Sequence, residues 1–333
     1  MACRRFDQYH RASNALAQPP GPAPEVRHTH RLAGGTISKM NAAALYFASG
    51  ESFYLGCLLL LAAIIVSPYL IQRWALLARN TLVWVALALM VIASPPFSWV
   101  ADAALLLLFL IWFVAAITRN SSTAVSRTRL TAGILLSALL LALSSSELSH
   151  RKMPPIIGQP SDHLVVIGDS ISSGIDPRPP SWPAILEQTT GVTVKNLAKP
   201  GATAADARVM AEHITPENHL VLVEIGGNDL LSGTPADDFE RNLDLLLSKL
   251  TQPGRTVVMF ELPLLPNRIA YGHVQRRLAS KYGVWLIPKR YFAQAIAGAN
   301  ATSDGLHLSA TGSQRMAALV AKLLEPLLKE RKS

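Results

Sequence analysis

Ser170 closes an apolar run, Val165-Val166-Ile167-Gly168-Asp169-Ser170, and a second polar segment, Asp304-Gly305-Leu306-His307, answers it much later in the chain. A serine becomes a nucleophile when a base takes its proton and a third group fixes that base, and these two segments supply hydroxyl, imidazole and carboxylate. Between them, Asn196-Leu197-Ala198-Lys199-Pro200-Gly201 and Gly226-Gly227-Asn228-Asp229 each follow a strand-like run and carry N–H donors. The chemistry open to such a set is acyl transfer, in which each donor aimed at the developing oxyanion is worth roughly 2.7–4 kcal/mol.

Each residue also has a plainer reading. Ser170 at a strand-to-helix junction can serve as a helix cap, and the segment lacks the second glycine of a Gly-x-Ser-x-Gly elbow, which argues against an ordinary α/β-hydrolase. Asp304 before Gly305 can be a turn residue and His307 a loop histidine; Gly201, Gly227 and Asn228 can all be turn residues. The ordered occurrence of all four segments is what the plainer readings leave unexplained.

The elements that must position these groups occupy only half of the 333 residues. Residues 1–150 carry 11 Lys/Arg against 5 Asp/Glu and several long apolar runs, whereas residues 151–333 carry 20 against 17 and read as ordinary globular protein. The basic excess lies in a tail and beside apolar segments, where positive charge reports membrane topology; no basic and aromatic stripe points to nucleic acid. Cys3 and Cys57 both lie in the N-terminal half, so the globular half has neither a disulfide framework nor a cysteine metal site.

Residues 1–50 form a basic stretch rich in Arg, His, Pro and Ala that lacks periodicity over its first 39 residues; disorder is expected there, with Met40 as an alternative start. Residues 51–147 are expected to hold about four transmembrane helices: Phe53–Ile71, a short Thr81–Ala93 that could be a re-entrant half, Trp99–Ile117, and a Leu130–Ser144 thinned by serines. Arg73 and Arg79 flank the first connection and Arg119, Arg127 and Arg129 the third, whereas the second has none. Loops one and three are therefore expected in the cytoplasm and everything after Ser146 outside, although the arginines of the tail pull the other way. For a bacterial inner membrane the globular half would be periplasmic. The spans contain no pairs of ionisable residues that would suggest a transporter.

After a proline-containing linker at 148–161, short β-rich runs alternate with helical stretches over residues 162–330. Strands are expected at Leu164–Ile167, Val192–Leu197, Leu220–Ile225, Thr256–Glu261 and Val284–Ile287. Helices are expected at Trp182–Gln188, Ala204–His213, Asp237–Leu250, Val274–Tyr282 and Ala310–Leu328. This is a doubly wound α/β domain with ligands at the carboxyl ends of its strands, where all four polar segments fall.

Taken together, Gly168-Asp169-Ser170, Gly201, Gly226-Gly227-Asn228-Asp229 and Asp304-Gly305-Leu306-His307 resemble the SGNH (GDSL-type) hydrolase family. Val166–Gly174, Trp182–Leu186 and Val221–Asp229 look like its bacterial thioesterase I/lysophospholipase L1 (arylesterase) branch. The resemblance implies a three-layer α/β/α domain with a five-stranded parallel sheet, here preceded by an all-α transmembrane region. It further implies Ser170 as nucleophile, His307 as base, Asp304 as its orienter, an oxyanion hole from Ser170, Gly201 and Asn228, and no metal or cofactor. The expected activity is hydrolysis of acyl esters or thioesters of small molecules, lipids or glycans, by an integral membrane protein that does not bind nucleic acid. An O-acyltransferase or deacetylase acting on an envelope polysaccharide, or an inert membrane organising protein, are the alternatives. Leu308, where that branch often has proline, is a departure, and the resemblance does not reach residues 1–150.

Overall fold

The four apolar stretches fold as helices α1 (Glu51–Val66), α2 (Arg73–Ala93), α3 (Trp99–Ile117) and α4 (Thr123–Ser149). They belong to a computed structural model that describes residues 43, 46–70, 72–93, 95–118, 122–174, 180–264, 268–297 and 300–329. The tail up to residue 42, with Met40, and Arg119 lie outside the described residues. All four helices are long and apolar enough to cross a membrane, α1 counted together with the 3₁₀ turn Ser67–Tyr69. Leu60, Ala63, Val83, Ala86, Trp112, Leu136 and Leu140 are buried between them, while Leu58, Ile65, Trp84, Leu107 and Ile134 point outwards. An apolar exterior of this kind suits lipid rather than water.

Two spans differ from the sequence expectation. The second is a full helix from Arg73, because Arg79 is buried without loss of partners: Nη1 donates to the Ser67 hydroxyl (3.0 Å) and the Ala116 carbonyl (3.2 Å), and Nη2 to Asn80 (2.8 Å). One guanidinium thus ties α1, α2 and α3 together where hydropathy alone ended the span. The fourth runs well beyond Leu130–Ser144, since its hydroxyls donate back to the helix, Thr128 to Ala124 (3.0 Å) and Ser149 to Ser146 (2.6 Å), and so leave no polar group stranded.

The second half of the described chain is built on five strands, β1 (His163–Gly168), β2 (Thr193–Asn196), β3 (Leu220–Glu224), β4 (Thr256–Phe260) and β5 (Trp285–Ile287). They form one parallel sheet in the order β2-β1-β3-β4-β5. Leu164–Ile167 and Leu220–Val223 are shielded on both faces, which is why they read as unbroken apolar runs rather than alternating ones. The helices are α5 (Ser170–Ser173), α6 (Trp182–Thr190), α7 (Ala204–Met210), α8 (Gly227–Ser232), α9 (Ala236–Leu250), α10 (Ile269–Tyr282), α11 (Lys289–Ala297) and α12 (Ala310–Leu324). α7, α9 and α10 pack as neighbours, and α6, α11 and α12 as another set, which completes a three-layer α/β/α domain. Short α5, α8 and α11 were not expected from the sequence; each begins within three residues of a strand end, and at 4, 6 and 9 residues they are too short to show a sustained helical period.

The two halves touch through charged groups. Arg276 on α10 donates to both carboxylate oxygens of Glu147 near the end of α4 (2.7 and 2.9 Å) and, through Nε, to Glu261 just past β4 (2.7 Å). The Lys289 amide donates to Glu261 (3.1 Å), its ammonium lies 3.9 Å from Glu147, and Arg151 pairs with Glu51. Glu147, Glu261 and Lys289 are buried, so removing one member would strand the charge of another.

The apolar face of α9 is Phe239, Leu243, Leu246, Leu247 and Leu250, all fully buried. Leu243→Ala is expected to cost about 2–5 kcal/mol of domain stability, read as a lower denaturant midpoint for the detergent-solubilised protein; an unchanged midpoint would contradict this packing.

Candidate active site

Parallel strands deliver their carboxyl ends to one edge, and the register sets which loops become neighbours. Gly168 pairs with Glu224, so the segments that follow β1 and β3 leave the sheet side by side. Gly168 is required there: a Cβ on it would sit 2.7 Å from the Ser172 side chain and 3.0 Å from the Glu224 carboxylate. The chain then turns at Asp169, whose carboxylate caps α5 by accepting from the Ile171 amide (2.9 Å), and Ser170 opens that helix half-buried.

Asn228 joins three of the segments. Its Nδ2 donates to the Asp169 carboxylate (3.1 Å) and to the Ala202 carbonyl (3.0 Å), one residue from Ser170 and one from Gly201 respectively. The Asp229 carboxylate accepts from the Ala204 amide (2.8 Å) and so fastens the same two loops a second time. Gly201 has φ +75°, a conformation glycine adopts without strain, and among the described residues neither its amide nor that of Ser170 has an acceptor. Both protons of the Asn228 amide are engaged, so as an oxyanion donor it would have to share one with its present acceptors; the arrangement uses it first to space Ser170 and Gly201.

His307 and Asp304 are held by their own short loop. Asp304 Oδ1 accepts from the amides of Leu306 (2.9 Å) and His307 (2.8 Å), and Oδ2 lies 2.6 Å from His307 Nδ1. The hydrogen bond from the imidazole, followed by those from the two amides, holds the Asp304 carboxyl well below the usual carboxylate range. An ionised Asp304 takes the Nδ1 proton as its partner and leaves Nε2 free to accept one. The loop is closed by a bridge between Thr302 and Leu308 and by the Ser303 amide donating to the His307 carbonyl (2.9 Å); Leu308 serves this bridge in place of a proline.

His307 lies on the loop that precedes α12, and α12 runs back towards the amino end of β1, where the Leu327 carbonyl accepts from the Ser161 amide (2.8 Å), so the imidazole stands on the carboxyl side of the sheet. No hydrogen bond joins Ser170 to His307 among the described residues; in sites of this type the contact commonly tightens only around substrate. The structure thus gathers Ser170 and Gly201 around Asn228 through their neighbours Asp169 and Ala202, and holds His307 with Asp304 in a separate loop on the carboxyl side of the sheet.

Behind the serine lies a group that motif reasoning missed. Glu224, fully buried, accepts from the Ser172 hydroxyl (2.8 Å), which in turn accepts from Trp182 Nε1 (3.2 Å). Burial, then the nearby Asp169 carboxylate, push the Glu224 carboxyl well up; burial also raises Asp169. The Glu224 carboxyl therefore holds its proton to higher pH than a free one, and the Asp169 amide donates to its Oε2 (3.4 Å). The signal was present as a lone acid in Val221-Leu222-Val223-Glu224-Ile225.

Since the native state holds this proton longer than the unfolded chain does, Glu224 makes stability fall as pH rises above its usual value of about 4.5, by up to about 1.4 kcal/mol per pH unit. Glu224→Gln should flatten that decline in melting temperature above about pH 4.5; an identical slope in both proteins would mean that Glu224 is ionised in the fold.

Residues 166–315 match the GDSL-like Lipase/Acylhydrolase family. An arylesterase of Vibrio mimicus is 37% identical over 120 residues, 33% of this chain and 58% of that protein. The esterase TesA of Pseudomonas aeruginosa is 29% identical over 181 residues, 50% of this chain and 89% of TesA. Thioesterase 1/protease 1/lysophospholipase L1 of Escherichia coli is 27% identical over 178 residues, 50% and 86% of the two chains.

Proposed function

We propose that this chain, whose residues 166–315 belong to the GDSL-like lipase/acylhydrolase family, is a serine carboxylic ester hydrolase anchored by its four apolar helices. The observation that supports the reading is the pair of acceptor-free amides of Ser170 and Gly201, drawn together by Asn228, with a carboxylate-held imidazole on the same side of the sheet. The names of its relatives, arylesterase, esterase and thioesterase/lysophospholipase, support an acyl ester or thioester as substrate.

In the reaction Ser170 Oγ attacks the ester carbonyl carbon while its proton passes to His307 Nε2, and Asp304 stabilises the imidazolium formed. The carbonyl oxygen gains negative charge opposite the amides of Ser170 and Gly201, with Asn228 fixing their separation. The C–O bond breaks, the alcohol leaves with the proton from His307, and water repeats the sequence on the acyl-serine to release the acid. The arginines in the first turns of α2 (Arg73, Arg79) and α4 (Arg127, Arg129) lie at the opposite end of the bundle from Glu147 and the hydrolase domain, which supports an extracytoplasmic position for the site.

Ser170→Ala should leave the fold intact and lower hydrolysis of p-nitrophenyl esters by at least about 10³-fold, with loss of labelling by a fluorophosphonate probe. Retention of either would refute Ser170 as nucleophile. Free acid as the product, with no acyl group passed to a glycan acceptor, separates hydrolysis from acyl transfer.

A further inference from the structure

The apolar bundle meets the hydrolase domain at the edge that carries the site. Glu261 is the first residue past β4 and Lys289 stands two residues past β5, both on the carboxyl side of the sheet, and both are bound into the charge cluster around Glu147. The loop between α2 and α3 reaches the same side: a Cβ on Gly272, in the first turn of α10, would sit 3.1 Å from Pro96 and 2.8 Å from Leu264. The start of the bundle is there too, with a Cβ on Gly50 falling 3.3 Å from the Lys289 side chain.

The connecting chain runs the other way. From the end of α4 it passes along the β5 edge to Gly158, beside Thr256 at the amino end of β4, and the Ser161 amide bonds Leu327 (2.8 Å) before β1 sets off back towards the bundle. Every strand therefore points at the helix ends. β1 lies two strands, about 10 Å, from β4, so the Ser170 edge is displaced sideways from the docked strands and opens beside the bundle. Its rim carries two apolar side chains with no core to join, Leu231 on α8 (54% exposed) and Leu306 next to His307 (45% exposed).

We propose that the carboxyl edge of this domain is a membrane-facing surface, clamped by Glu147, Arg276, Glu261 and Lys289, through which the site receives carboxylic esters anchored in the bilayer that holds the helices. This rests on the ester hydrolase reading. The partner is the lipid surface itself: the exterior of the bundle is apolar along its length, and the catalytic rim continues that apolar character at the end where the helices would leave the bilayer. The clamp is a positioning device, and none of its residues takes part in the acyl chemistry.

The test uses the full chain in phosphatidylcholine nanodiscs, with Cys3 and Cys57 replaced by alanine. A fluorophore attached through Leu306→Cys should be quenched by a headgroup-tethered quencher, whereas one attached through Glu217→Cys, on the loop before β3, should not. The paired substitution Glu147→Gln with Arg276→Met removes one carboxylate and one cation and leaves Lys289 to pair with Glu261. It should keep hydrolysis of soluble p-nitrophenyl butyrate within about 2-fold of the parent but lower turnover of a pyrene-acyl lysophosphatidylcholine embedded in the same disc about 10-fold or more. Equal quenching at both labels, or a parallel change for both substrates, would overturn the proposal. Parent protein that does not hydrolyse p-nitrophenyl butyrate would defeat the hydrolase reading instead, and the quenching comparison would still decide which edge faces lipid.

Discussion

Parallel pairing of β1 with β3 is the constraint from which the rest of the structure follows. Because both strands run in one direction and are shielded on both faces, their backbone groups are satisfied within the sheet, and the chain is free to place polar groups only beyond its ends. Ser170 and Asn228 come from segments 58 positions apart in the sequence. They meet because Val165 faces Val221 and Gly168 faces Glu224. A slip of one residue would move Gly168 off Glu224 and separate the serine from its neighbours.

The site is fixed by a small number of polar fastenings. Asn228 and Asp229 each cross to the loop after β2, and Asn228 also reaches Asp169. Beneath them Glu224, Ser172 and Trp182 form a hydrogen-bonded buried network under the nucleophile's helix. Such a network costs desolvation and returns little net stability, but it permits few alternative arrangements when every member has a partner. The Asp304–His307 pair follows a different strategy: four consecutive residues supply both side chains and the amides that orient them, and the loop is closed by one bridge.

Much of this was readable in the residues. The strand runs, the alternation with helices and the four polar segments fixed the fold class and named the groups that gather at the sheet edge, since burial on both faces leaves a strong apolar signature. Less legible were features in which a polar residue sits where hydropathy forbids it. Arg79 cut the second span short on paper because its partners, Ser67 and the Ala116 carbonyl, come from other helices. Glu224 fell inside the expected strand Leu220–Ile225 without a role, because its partners Ser172 and Asp169 come from the segment after the neighbouring strand. Arg276 and Glu147 lie far apart in the chain, and no local pattern announces that they pair.

The connection from Arg151 to Asp162 spends its length travelling the height of the domain, past Thr256 to Leu327, before β1 begins. It is therefore a strap laid against the sheet and not a tether on which the domain swings. A single protease cut within it would leave the two fragments bound through Arg276 and Lys289 on Glu147, so release of the domain from its anchor requires the cluster to be opened as well as the peptide to be broken.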